Sequence, residues 1–214
     1  MRLESYIDHT ILKPTATEED IINLCSEAKA HRFHGVCVNG CHISLAKKEL
    51  LDSPVKLVAV IGFPLGAMST ATKILEALDS IKNGADEVDM VLNIGWMKSQ
   101  QYGLVLEEIT KIKEACGPVV LKVIIETCYL TTNEKLKACE LIIKGKADYV
   151  KTSTGFGTEG ATFTDVILLK EKVGNKIKIK ASGGIKDRET ALKYIKLGVS
   201  RIGTSSGVTI LNVP

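Results

Sequence analysis

Short β-branched runs alternate along this chain with stretches whose apolar residues recur at helical spacing. Eight runs read as strands: "YIDHT", "GVCVN", "KLVAVIGFP", "EVDMVLN", "VVLKVIIET", "DYVKTST", "KIKIKASGG" and "SRIGTSS". Each but the last is followed by a helix-like stretch. Thr17 and Asp20 have capping-box spacing ahead of Ile21, Ile22, Cys25 and Ala28. Ile74, Leu78 and Ile81 form a second stripe, closed by Gly84. Val105, Ile109, Ile112 and Cys116 form a third, stopped by Gly117 and Pro118. Leu136, Cys139 and Ile143 precede Gly145, and Leu192 and Ile195 precede Gly198.

Repeated βα units predict parallel strands joined by right-handed crossovers. Eight of them favour an α/β fold closed as a single-domain (β/α)8 TIM barrel over residues 1–214. An open doubly wound sheet would carry a glycine fingerprint after its first strand, and "YIDHTILKP" has none. No linker-like or low-complexity tract divides the chain.

Strand side chains alternate between faces, and here the alternation exposes a conflict. Val88, Met90 and Leu92 share the face that helices would cover, which turns Glu87, Asp89, Val91 and Asn93 inward. The same parity sends Lys122, Ile124 and Glu126 inward in the fifth run and Lys151 in the sixth. In the seventh it sends Lys176, Lys178 and Lys180 inward. Asp89, Lys122, Lys151 and Lys180 thus converge on one axis from four neighbouring strands.

Buried charges must be paired or shift their pKa values. Three lysines against few carboxylates would be a poor stabilising cluster, so the reading is functional rather than structural. A lysine acts as a nucleophile only when neutral. A second ammonium on the adjacent strand favours loss of a proton, and catalytic lysines are tuned to roughly 7–8 in this way. Lys151 beside Lys180 is a sensible device for Schiff-base chemistry.

In such a barrel the chemistry lies at the C-terminal ends of the strands, with phosphate commonly held by the last two loops. Those loops read "SGG" (182–184) and "GTSSG" (203–207), with a short helix expected from near Ser205.

Composition narrows the partners. The net charge is +3 with lysines scattered rather than striped, which argues against a nucleic-acid surface. No apolar run approaches membrane-spanning length. "MRLESYIDHTILKP" lacks the apolar core of a signal peptide, so a cytoplasmic protein is expected. The six cysteines are expected to be reduced, and their spacing with His42 does not complete a zinc motif.

Six motifs in order, "DHTILKP", "GADEVDMVLNIG", "LKVIIET", "VKTSTGFG", "KASGGI" and "RIGTSSG", resemble the deoxyribose-phosphate aldolase family from about residue 6 to 207. The resemblance implies a class I aldolase on a (β/α)8 barrel. It would cleave 2-deoxy-D-ribose 5-phosphate reversibly to D-glyceraldehyde 3-phosphate and acetaldehyde, with no metal or other cofactor. Lys151 would then be the Schiff-base lysine, Lys180 the neighbour that lowers its pKa, and Asp89 a proton-transfer group acting through water. Asp8 and Lys122 match supporting polar positions. Thr154, Gly155, Gly183, Gly184, Gly203, Ser205 and Ser206 match substrate- and phosphate-binding positions.

Many members of this family end in a tail with a terminal tyrosine. The last tyrosine here is Tyr194, which implies slower proton exchange at the acetaldehyde methyl. Lys178 is expected at the N-terminal end of the barrel, paired or solvated, with no assigned role. The rivals are another class I aldolase and a non-catalytic sugar-phosphate sensor. A homo-oligomer, with a dimer as the expected form, completes the reading.

Overall fold

The computed structural model describes residues 2–211. Its eight parallel strands are β1 (Ile7–Ile11), β2 (Gly35–Asn39), β3 (Lys56–Ile61), β4 (Glu87–Val91), β5 (Val120–Ile124), β6 (Tyr149–Lys151), β7 (Lys178–Ser182) and β8 (Arg201–Thr204). They hydrogen-bond in sequence order, and β8 returns to β1, so the sheet closes into a barrel. The expected (β/α)8 architecture is the one observed.

The helices are α1 (Glu18–His31), α2 (Ile43–Glu49), α3 (Thr70–Lys82), α4 (Ile94–Lys98), α5 (Tyr102–Cys116), α6 (Thr132–Lys144), α7 (Phe163–Val173), α8 (Arg188–Lys196) and α9 (Gly207–Leu211). The last run shows no helix-like stretch by periodicity, yet the short helix expected from near Ser205 is present as α9, beginning at Gly207. None of these helices is long and apolar enough to cross a membrane.

Local chemistry sets the helix starts. Thr17 and Asp20 form the anticipated capping box on α1, and Thr131 and Glu134 form another on α6. Ser69, Thr162 and Asp187 accept from backbone N–H groups at the starts of α3, α7 and α8. Each such cap is worth about 1 kcal/mol. Asn93, placed inward by simple alternation, lies beyond the end of β4 and caps α4, accepting from Trp96 N at 3.1 Å.

The parity argument holds within the strands. Val88, Met90, Leu121, Val123, Ile179 and Ala181 join the helices' apolar stripes in one buried cluster outside the barrel. The barrel interior is divided. Cys37 of β2 and Val58 and Val60 of β3 pack with Leu12 in a small apolar cluster of their own. The rest of the interior, from β4 round to β1, is largely ionic. This division leaves the fold one polar axis to position, and that axis carries the site.

Candidate active site

Asp89 on β4 is the hub of the axis. Its Oδ1 accepts from Lys122 of β5 at 2.6 Å, and its Oδ2 accepts from Lys151 of β6 at 2.9 Å and Lys180 of β7 at 2.8 Å. Lys180 also donates to Asp8 Oδ2 at 2.5 Å, and Lys122 lies 2.6 Å from Glu87 Oε2. Register supports the geometry: Asp89 faces Lys122 across β4–β5, and Lys151 faces Lys180 across β6–β7.

Two glycines open the space. Asp8 lies in register between Gly35 of β2 and Gly203 of β8. A Cβ at Gly35 would meet Lys56 O at 2.8 Å and Asp8 Oδ1 at 3.1 Å, and one at Gly203 would meet Lys180 Cε at 3.1 Å. A larger residue at either place would crowd the Asp8–Lys180 pair.

The sequence reading undercounted the carboxylates. Asp8 and Glu87 join Asp89, and an unanticipated cation, Arg201 of β8, joins the lysines. Arg201 Nη1 donates to Asp8 Oδ1 at 2.9 Å and Glu87 Oε2 at 3.2 Å. His34 lies against the far oxygen of Glu87 at 3.3 Å. Three anions therefore face four cations, where three lysines against few carboxylates were expected. Parity would have found Arg201, two residues before Gly203 on the same face.

The electrostatics follow from this multiplicity of partners. Burial pushes the Asp89 carboxyl up, but Lys122, Lys151 and Lys180 together outweigh it and hold it well below the usual range. Burial opposes Asp8 in the same way, and Lys180 and Arg201 overcome it. For Glu87, burial is overcome by the His34 contact, Lys122 and Arg201. Burial would lower Lys180, yet Asp8 and Asp89 raise it; Lys122 is raised likewise, mainly by Asp89, and Arg201 by Asp8 and Glu87.

A cavity of about 350 Å³ opens at the C-terminal ends of the strands. Of the seven charged groups in the network, Lys151 is the one that lines it, at 2% exposure. Thr154, Gly155, Gly183, Gly184, Gly203 and Ser205 line it as anticipated. Ser206 is not among the lining residues; its N–H donates to Thr204 Oγ1 at 2.9 Å and its carbonyl accepts from Ile210 N in α9. Gly155, Gly183 and Gly184 all have positive φ (88°, 85° and 78°), where a side chain would be strained. These backbones can therefore turn their N–H groups toward a bound anion.

Ser182 and Thr204, within the two expected phosphate loops, line the cavity too, as do Thr10, Lys13, Phe156 and Lys186, which the sequence reading left without a role. Lys186 stands two residues past "SGG", where a cation after a phosphate loop was a usable signal. Glu126 was placed inward without a role. It bonds Thr154 N and Oγ1, burial pushes its carboxyl up, and its φ of 50° is left-handed. Lys178 is exposed at the start of β7, over the Tyr149 ring, at the end of the barrel opposite the cavity. Tyr194 lies in α8 with its hydroxyl donating to Ala161 O at 2.7 Å. The expectation about a terminal tyrosine bears on residues 212–214, which lie outside the described residues.

A closed (β/α)8 barrel with a buried lysine opening into a polar cavity at the strand C-termini is the architecture of a barrel enzyme acting on small molecules. The chain belongs to the DeoC/LacD family of aldolases, whose model matches residues 3–212. It is 53% identical over 212 residues to the deoxyribose-phosphate aldolase of Streptococcus suis, covering 99% of this chain and 96% of that one. Its fold is similar to that of the aldolase QR15, with TM-score 0.94 and 43% identity over 97% and 93% of the two chains. It is also similar to the tetrameric deoxyribose phosphate aldolase of Aeropyrum pernix, with TM-score 0.89 and 33% identity over 98% and 89%.

Proposed function

We propose that the chain cleaves 2-deoxy-D-ribose 5-phosphate reversibly to D-glyceraldehyde 3-phosphate and acetaldehyde through a Schiff base on Lys151. The observation that carries this reading is the exposure of Lys151, alone in the ionic network, to the cavity at the catalytic end of the barrel.

The neutral Lys151 amine adds to C1 of the open-chain sugar phosphate, and the carbinolamine loses water to give an iminium. As the C3 hydroxyl loses its proton, the C2–C3 bond breaks and its electron pair moves to the iminium. Glyceraldehyde 3-phosphate departs and an enamine remains. A proton added at C2 restores the iminium, and water then releases acetaldehyde and the free amine.

Asp89, held as an anion 2.9 Å from Lys151, orients that nitrogen and the water that carries protons to and from the enamine carbon. Lys180 supplies a fixed positive charge on the neighbouring strand. Thr154, Gly155, Gly183, Gly184, Gly203 and Ser205 hold the substrate and its phosphate, with Ser206 shaping the last loop. Lys186 and Lys13 add positive charge at the rim. This grip supplies the binding energy that aligns the carbonyl with Lys151.

The whole chain acts as one barrel, in the cytoplasm and as an oligomer; a dimer is the expected form, beside the tetramer described for the Aeropyrum pernix relative. Borohydride added with deoxyribose 5-phosphate should fix a covalent adduct on Lys151. Lys151→Leu should abolish acetaldehyde release in a coupled assay. Normal turnover with an unmodified Lys151 would overturn the reading, and cleavage of a different sugar phosphate only would favour another class I aldolase.

A further inference from the structure

The axial network holds seven charged side chains, and six of them are locked into their charged forms by one another. Asp8, Glu87 and Asp89 are held negative; Lys122, Lys180 and Arg201 are held positive. These six charges cancel. Lys151 is the seventh, and it alone reaches the cavity. With its amine neutral, the buried cluster carries no net charge; as an ammonium, it adds an uncompensated positive charge to a site of low dielectric.

Lys180 alone does not create this condition, because Asp8 sits 2.5 Å from it and offsets it. The balance depends on the third fixed cation. We propose that Arg201 is a positioning residue for the Schiff-base step, supplying the charge that makes the uncharged amine of Lys151 the electroneutral state of the buried cluster. Arg201 does this without touching substrate, since it lines a separate cavity at the opposite mouth, with His34 and Lys178.

The other titratable groups nearby lie outside these seven ion-paired side chains, beginning with His34, which faces Glu87 Oε1 at 3.3 Å. On β2, Cys37 is a thiol that burial pushes up, and β3 presents Val58 and Val60. Beyond β5, Glu126 makes no contact ion pair among the described residues; it accepts from Thr154, and burial pushes its carboxyl up against the weaker pull of Lys151. The hydroxyl oxygen of Tyr149 on β6 accepts from Arg201 Nη2 at 3.4 Å. At the cavity rim, Lys13 pairs with Asp20 at 3.1 Å, and Lys186 is exposed.

This inference rests on the Schiff-base reading above, and one experiment separates the two. The probe is acetaldehyde, which has no ionisable group, trapped on the full-length protein by borohydride from about pH 5 to about pH 10 and read by intact mass. Arg201→Met should move the trapping midpoint upward by about one pH unit and slow trapping at neutral pH about tenfold, with recovery at high pH. Glu87→Gln removes an anion and should move the midpoint the other way. The double variant Arg201→Met/Glu87→Gln restores the balance and should return the midpoint toward wild type, while Arg201→Lys should hold it.

A purely structural role would lower trapping at every pH and would not reverse in sign between the two single variants. Unmoved midpoints, or shifts in the same direction, overturn the inference while leaving Lys151 as the nucleophile. If Arg201→Met does not fold, the sign of the Glu87→Gln shift decides. If the wild type forms no adduct at any pH, the Schiff-base reading itself fails.

Discussion

Two fully buried ionic groups lie close together in this molecule and behave in opposite ways. Between α3 and α5, Lys73 and Glu108 form a single contact ion pair, 2.9 Å apart and wholly inaccessible, with Lys73 also donating to Val91 O and Glu76 acting on it more weakly. There burial dominates: it pushes Lys73 down and Glu108 up, both toward the neutral form. On the barrel axis burial is as complete, yet Asp8, Asp89, Lys122 and Lys180 are all driven the other way. A single partner does not repay desolvation, whereas two or three partners per group do. The pair needs only to hold the end of β4 against two helices; the network must keep its charges in place while Lys151 changes its own.

The comparison breaks most visibly at Asp89. Asp89→Asn leaves Lys122, Lys151 and Lys180 without their shared anion, which should cost about 3–5 kcal/mol in denaturant unfolding. Turnover should fall at least about a hundredfold in the protein that still folds. Wild-type turnover in folded Asp89→Asn would reduce the axis to a structural cluster.

The single pair should respond differently. Lys73→Met strands the Glu108 carboxyl and should cost about 3 kcal/mol, and adding Glu108→Leu should recover most of that loss. Turnover in the double variant should stay within about twofold of wild type, since neither residue borders the cavity. A large activity loss there, with stability restored, would show that the pair tunes the axis after all.

How much of this was legible follows from the two periodicities. Period two placed Asp89, Lys122, Lys151 and Lys180 on the axis, because each strand has one face under helices and the other inside. It applied equally to Arg201, but "SRIGTSS" drew attention as a phosphate loop and its first inward residue went uncounted. Glu87 was placed inward by the same parity but left out of the charge balance, because its partner Arg201 was not counted. Lys73–Glu108 was not legible at all: each residue lies next to an apolar position on its helix, Ile74 and Ile109, and nothing local to either names the other. Glycines at 35 and 203 reveal their use only when the neighbouring strands are known, since it is Asp8 and Lys180 that need the room.

The smallest expected effect is at Lys178, and it sharpens the comparison most. Lys178 shares strand and parity with Lys180, and its ammonium lies 5.6 Å from the centre of the Tyr149 ring, which also faces Lys122 at 5.9 Å and Arg201 at 5.8 Å. By sequence it is as much an inward lysine as the other. Water makes the difference: Lys178 is exposed and Lys180 has no accessible surface. A solvated ammonium over an aromatic face contributes about 0.5–1 kcal/mol, and its field is screened within about 10 Å. Lys178→Ala should therefore lower stability by less than about 1 kcal/mol and leave turnover within about twofold. If instead the trapping midpoint moved as is expected on loss of Arg201, a charge would not need burial to set the state of Lys151, and the contrast between solvated and enclosed cations would fail.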